Sequence, residues 1–259
     1  VEQESELWMI VKLHARKNHI LRKSVNLSKQ THIIAANIDQ ALLMITLDSP
    51  VTTTGFIDRF LVAANAYRVE VILLFNKVDL LDDGMKIQQE NLQKVYEKIG
   101  YTCFATSVIN DDLSVIKALM KGKVNMISGH SGVGKSTLVN YLQPDLHIDT
   151  KEVSDTHKQG QHTTTFSELH ELDFGASIID TPGIRGFGLV ELEIAELANY
   201  FPEFFALKLK CKFHNCIHKR EPQCAVKSAL ENGVIAESRY KNYLKMLIEE
   251  EEHFRTNDY

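Results

Sequence analysis

The chain has 259 residues, 44% of them apolar and 24% charged, with a formal net charge of -5. That length suffices for one large domain or two to three small ones around a buried core, and the composition is that of an ordinary globular protein. The charge excludes a uniformly basic nucleic-acid binder. The longest apolar stretches, "ALLMITL" at 41–47 and "VEVILLFN" at 69–76, fall well short of the roughly 20 residues that cross a bilayer, so no membrane partner is expected.

The chain opens on "VEQESELW", without a Met and without a basic region leading into an apolar run, so no secretory signal is expected. Residues 5–24, "SELWMIVKLHARKNHILRKS", alternate like short strands around a basic turn, the style of a small β-barrel whose beginning is expected to be incomplete. From "THIIAANIDQALLMITL" (31–47) onward, strand-like runs alternate with helical patterns. "FIDRFLVAANAYR" (56–68) reads as a helix, "VEVILLFN" as a buried strand, "KIQQENLQKVYEKIG" (86–100) as an amphipathic helix, and "YTCFATS" (101–107) and "VNMISG" (124–129) as strands. This rhythm predicts an α/β fold with a mainly parallel sheet and helices on both faces. A polar lapse between Gln143 and Thr165 predicts a functional or disordered loop. The strands "FSELHEL" (166–172) and "ASIID" (176–180) follow, and then a largely helical end interrupted by a cysteine cluster.

"GHSGVGKS" at 129–136 satisfies G-x-x-x-x-G-K-[ST] between a strand and the helix "KSTLVNYL". In this setting the backbone of Gly129, His130, Ser131, Gly132, Val133 and Gly134 curls around phosphate oxygens. Lys135 reaches the β and γ phosphates, the Ser136 hydroxyl binds Mg²⁺, and Thr137, next in the helix, is a further candidate for binding the nucleotide. The helix N-terminus adds partial positive charge. "NKVD" at 76–79 ends a buried strand, at the sheet edge where open α/β folds bind ligands. An ionised Asp79 only accepts hydrogen bonds, so it suits guanine N1–H and its exocyclic amine and opposes adenine, whose N1 is itself an acceptor. Asn76 can bond the base edge and its surrounding loop, and the stem of Lys77 can cover the ring. Thr106 and Ser107, after the next strand, are candidates for the guanine carbonyl. In "DTPG" (180–183) Asp180 would hold Mg²⁺ through water, and the Gly183 N–H would meet the γ phosphate.

Three of the four cysteines fall within "CKFHNCIHKREPQC". Cys211, Cys216, His218 and Cys224 have the spacing C-x4-C-x-H-x5-C, whose three thiolates and one imidazole suit a closed, structural tetrahedral Zn²⁺ site. His214 is the rival nitrogen ligand. Cys103 is expected in the core. Basic residues crowd an early segment (Lys12, His14, Arg16, Lys17, His19, Arg22, Lys23) and a late one (Lys208, Lys210, Lys212, Lys219, Arg220), while "EEEE" at 249–252 opposes them. Such patches can steer toward a polyanion whatever the total charge.

The base-reading motif precedes the phosphate loop, and "DTPG" comes third. With "GQHTTT" and the cysteine cluster, this order resembles the circularly permuted GTPases of the RsgA/YjeQ family. The resemblance implies a partial OB-fold at 1–28, a permuted GTPase domain at 29–195 and a helical zinc domain at 196–259. It also implies GTP/GDP, Mg²⁺ and one structural Zn²⁺ as ligands, with the small ribosomal subunit and its rRNA as partners. A GTPase stimulated by that subunit during its late maturation is expected, as a cytoplasmic monomer. In the family pattern Thr164 completes the Mg²⁺ shell, His218 rather than His214 binds zinc, and His162 replaces the usual water-orienting Gln, whose position holds Ile184. Gly186 departs from the family's acidic residue. The alternative is an RNA-binding assembly module that uses GTP mainly as a structural or switch ligand with negligible turnover.

Overall fold

The computed structural model describes residues 2–4, 7–23, 31–146, 168–180 and 193–257. At its centre lies a six-stranded sheet built from β5 (Gln40–Ile45), β6 (Glu70–Phe75), β7 (Thr102–Ala105), β8 (Val124–Ser128), β9 (Glu168–Leu172) and β10 (Ala176–Asp180). The spatial order is β7-β6-β5-β8-β10-β9, parallel throughout except for the antiparallel edge strand β9. The expected mainly parallel sheet is therefore present.

Side chains alternate across the two faces, as the strand period of two requires. Ala41, Leu43 and Ile45 join one core with Val71, Leu73 and Phe75, whereas Leu42 and Met44 join the opposite core with Ile72 and Leu74. Both faces are thus apolar and covered, which is why the strand sequences read as continuous hydrophobic runs. On the first face pack α1 (Thr54–Ala66), through Ile57, Phe60 and Leu61, and α2 (Asp83–Lys98), through Tyr96. On the second lie α3 (Ser114–Met120), through Ile116 and Met120, and α4 (Lys135–Leu142), through Leu138, Val139 and Leu142. Short polar caps start the first two helices: Thr53 Oγ1 accepts from the Phe56 N–H at 3.2 Å, and Asp82 Oδ1 from the Met85 N–H at 2.7 Å.

The chain leaves β5 outward through β6 and β7 and returns through α3 to β8 on the other side of β5. The crossover helices change face between β5 and β8, and such a reversal opens a crevice at the carboxyl ends of the strands. The phosphate loop follows β8 and the base-reading motif follows β6, so both lie along that edge whichever comes first in the chain.

Before the sheet are two separate antiparallel ladders, β1 (Glu2–Glu4) with β2 (Leu7–Met9) and β3 (His19–Lys23) with β4 (Thr31–Ala36). The described residues show no closed barrel joining them, and the β3–β4 pair spans residue 28. Asn18 ties this region to the segment that enters β5: its amide donates to Ile38 O at 2.7 Å and accepts from the Ile38 N–H at 2.8 Å.

The C-terminal part contains α5 (Pro202–Phe205), α6 (Ala225–Glu231) and the long α7 (Glu237–Asn257). Arg239 on α7 is 1% exposed, and its guanidinium meets Asp58 on α1 at 2.6 Å and Glu203 on α5 at 2.7 Å. Burial opposes the Arg239 charge, but the two carboxylates more than offset it and raise the pKa. No helix among the described residues is long and apolar enough to cross a membrane.

Candidate functional site

Two glycines set the course of the phosphate loop. Gly129 leaves β8 with φ +144°, and a Cβ there would lie 2.6 Å from the Met44 carbonyl oxygen, so the loop crosses directly over the end of β5. Gly134 has φ +103°, and its Cβ would lie 2.6 Å from Asn76 Nδ2. Only glycine allows both the left-handed backbone and these close approaches. Asn76 is buried at the meeting point, where its Nδ2 donates to Val133 O at 2.8 Å and its Oδ1 accepts from the Val108 N–H at 3.1 Å. One side chain therefore ties the base-reading loop to the phosphate loop and to the loop after β7.

Lys135 begins α4 and folds back over the loop, its Nζ donating to Gly129 O at 2.8 Å and His130 O at 2.6 Å. Ser136 and Thr137 follow in the first helical turn, half-buried. The His130 ring packs on Phe56 of α1 with centroids 3.9 Å apart. Partial burial, aided by the Lys135 charge, lowers the His130 pKa and favours the neutral ring. The loop at 47–53 flanks this edge, and Pro50 Cδ would lie 3.5 Å from a Cβ on the exposed Gly132.

The base-reading residues sit beside it. Lys77 is left-handed at φ 63°, ψ 32°, which starts the 3-10 turn Val78–Leu80 and lets Nζ reach Ser49 O at 2.7 Å. Its aliphatic stem is thereby stretched along the edge. Asp79 is exposed on the turn, and its Oδ2 accepts from Asn110 Nδ2 at 3.1 Å. Thr106 and Ser107 are buried after β7, where Asp111 Oδ2 accepts from the Ser107 N–H at 2.6 Å and from Thr106 Oγ1 at 3.2 Å. The two loops also meet through the Val78 N–H and Thr106 O at 3.4 Å. Asp180 is the last residue of β10, next to β8, and so lies on the same sheet edge as the phosphate loop. His162, Thr164, Gly183, Ile184 and Gly186 lie outside the described residues.

The second centre brings together Cys211, Cys216, His218 and Cys224, whose ligand atoms all lie within 4.8 Å of one another. A tetrahedron with Zn–S near 2.3 Å and Zn–N near 2.05 Å has S···S edges of about 3.8 Å and S···N edges of about 3.5 Å. The observed separations are 4.0 Å for Cys211 to Cys224, and 3.6 and 3.3 Å from His218 Nδ1 to Cys211 and Cys224. The donor set therefore fits one tetrahedral ion, with Nδ1 turned inward. His214 is exposed and outside the cluster. Burial pushes the Cys216 thiol up to about 12 and the His218 pKa down. A dication reverses the first effect by favouring thiolates, and the neutral imidazole is already its ligand form.

The support of this loop comes from α7, where Tyr240 donates to His218 O at 2.7 Å and Tyr243 to Ile217 O at 2.6 Å. Glu221 closes it by accepting from the Ile217 and Lys219 N–H groups, both at 2.8 Å. Burial works against the Glu221 charge, yet these backbone donors hold its pKa below the usual carboxylate range. Lys210, Lys212 and Arg220 are exposed around the loop, with Leu209 96% exposed and Phe213 40%. Cys103 is partly buried against the core, as expected, and desolvation pushes its thiol up to about 12.

Several contributors escape a reading by motif. Val108, Asn110 and Asp111 organise the base-reading edge, and Ser49 holds Lys77, but none belongs to a pattern with a fixed spacing. The available signal was position alone: each follows a strand at the same sheet edge.

The family model described as RsgA GTPase matches residues 13–190. The small ribosomal subunit biogenesis GTPase RsgA of Flavobacterium johnsoniae is 58% identical over 248 residues, which is 95% of this chain and 76% of that protein. The protein of the same name from Bacteroides fragilis is 50% identical over 244 residues, 94% of this chain and 79% of its own length. Among solved structures, YjeQ from Thermotoga maritima superposes with a TM-score of 0.77 at 37% identity, covering 92% of this chain and 76% of that one. YloQ, a circularly permuted GTPase, gives 0.74 at 29% identity, covering 93% and 75%. With the reversed motif order and the parallel sheet that tolerates it, these matches establish that the chain belongs to the RsgA GTPase family and is a circularly permuted GTPase.

Proposed function

We propose that this chain hydrolyses GTP to GDP and phosphate in the late maturation of the small ribosomal subunit, and that binding to the subunit stimulates hydrolysis. The observation that carries the reading is Asn76, which joins the guanine-reading, phosphate and post-β7 loops into one nucleotide edge. The relatives' names supply the ribosomal context. In this reading Asp79 selects guanine, with Asn76, Lys77, Thr106 and Ser107 around the base. The loop Gly129–Gly134, with Lys135, Ser136 and Thr137, takes the phosphates, and Gly183 meets the γ phosphate. Ser136, Thr164 and Asp180 would hold Mg²⁺, which when bound would supply positive charge beside the phosphoryl oxygens. His162 orients the attacking water in place of the side chain that Ile184 lacks.

Single-turnover hydrolysis measured with small subunits, with large subunits and without ribosomes tests this. Acceleration of about tenfold or more by small subunits alone is expected, and it should be lost in His162→Ala. Hydrolysis indifferent to subunits would favour GTP as a structural or switch ligand of an RNA-binding module.

The parts divide as a partial OB-fold at 1–28, the permuted GTPase at 29–195 and the zinc domain at 196–259, acting as a cytoplasmic monomer. Zinc at Cys211, Cys216, His218 and Cys224 stiffens a loop that presents Lys208, Lys210, Lys212, Lys219 and Arg220 toward rRNA phosphates. Metal analysis of the purified protein should find one zinc per chain, and Cys216→Ser should lose it together with the stability of the α6–α7 region. Protein that is fully folded with no bound zinc would refute the site.

A further inference from the structure

We infer that Asn110 is a positioning residue for guanine selectivity, its side-chain amide holding the Asp79 carboxylate in the orientation that meets the guanine edge. This rests on the reading of Asp79 as the base-selecting group. Asp79 stands exposed on a short 3-10 turn, and the terminal torsion of a free aspartate is broad. A carboxylate that must accept two hydrogens in one plane therefore gains from a fixed neighbour.

Asn110 is placed to be that neighbour. Its Nδ2 donates to Asp79 Oδ2 at 3.1 Å and to Ser107 Oγ at 3.1 Å, so both amide hydrogens have acceptors. The reversed amide would set its oxygen against Asp79, so the observed orientation is the favourable one. Its backbone is equally constrained: the Asn110 N–H donates to Ser107 O at 3.0 Å, and the Asp111 N–H to the same oxygen at 2.9 Å. Val108, two residues earlier, is bonded to the buried Asn76. A continuous path of bonds thus runs from the residue that clamps the phosphate loop to the carboxylate that reads the base.

The contact does not compete with the base. An ionised carboxylate offers about four lone-pair sites, and Asn110 occupies one of them on Oδ2. Both oxygens still accept, one from guanine N1–H and the other from the exocyclic amine. A donor to an ionised acceptor is also stronger than a neutral pair at the same length.

The test is a double-mutant cycle on the full chain, read by titration of fluorescent GDP extended to millimolar protein or competitor. Asn110→Ala should weaken GDP about five- to tenfold, and the same substitution in an Asp79→Ala background should change GDP affinity less than about twofold. Asn110→Asp, which sets a like charge beside Asp79, should weaken GDP further, and that excess should vanish in the Asp79→Ala background. Equal losses in both backgrounds would make Asn110 a structural loop residue and overturn the inference. Unchanged GDP affinity in Asp79→Ala alone would instead overturn the base-reading assignment beneath it.

Discussion

Lys135→Ala should lower single-turnover GTP hydrolysis about a hundredfold to a thousandfold, with or without ribosomal subunits, and leave the chain folded. The size follows from where the ammonium sits. At the first residue of α4 it lies at the positive end of the helix dipole, and its present acceptors, Gly129 O and His130 O, are loop carbonyls at 2.8 and 2.6 Å. Phosphate oxygens that gain charge in the transition state are stronger acceptors than carbonyls, so the ammonium stabilises that state more than the ground state. The loop's course is set by Gly129, Gly134 and the Asn76 bond to Val133, and water can replace the half-buried Lys135 ammonium at the Gly129 and His130 carbonyls, so the melting temperature should move little. Phosphate release and thermal unfolding measured on the same preparation check both halves. Turnover within tenfold of the parent would show that the phosphates bind elsewhere.

The sequence made the sheet legible because β5 and β6 are buried on both faces and read as apolar runs at 41–45 and 71–75. The phosphate loop, "NKVD" and the cysteine cluster were legible because each needs particular atoms at particular spacings. His218 could be chosen over His214 only through the family pattern, since spacing alone admits either ring, and burial then separates them. Helix α3 is not legible in the sequence, because its seven residues carry too few turns for a period to emerge. In place of the expected small barrel, the described residues contain two separate ladders. Long-range partners were the least visible. Asn76 to Val133, Asn110 to Asp79 and Arg239 to Asp58 join residues 57, 31 and 181 positions apart, and no local pattern encodes such pairs.

That last pair sets up the largest expected loss of stability. Arg239→Met should cost about 3–5 kcal/mol, because it removes the counter-charge from a carboxylate with no access to water. Asp58 is 0% exposed on α1, and besides Arg239 it accepts from Tyr96 Oη at 2.8 Å and Asn242 Nδ2 at 2.6 Å. Burial raises its pKa even against Arg239, which marks how dearly the charge is held. Arg239 also grips Glu203 through two nitrogens and lies 4.5 Å from the centre of the Phe201 ring, so a methionine would replace some packing but none of the charge. Adding Asp58→Asn to the Met variant should recover part of the loss, since a neutral amide needs no counter-ion and can still accept from Tyr96. Denaturant unfolding followed through Trp-independent far-UV signal, with nucleotide affinity measured in parallel, separates two roles for the pair. Asp58 follows Phe56 by half a turn, and Phe56 packs on His130 of the phosphate loop. If α1 is held in place by Arg239, the Met variant should weaken GDP a few-fold beyond its loss of stability, and Asp58→Asn should not restore it. Lost stability with unchanged GDP affinity would confine the buried pair to joining α7 to the sheet domain.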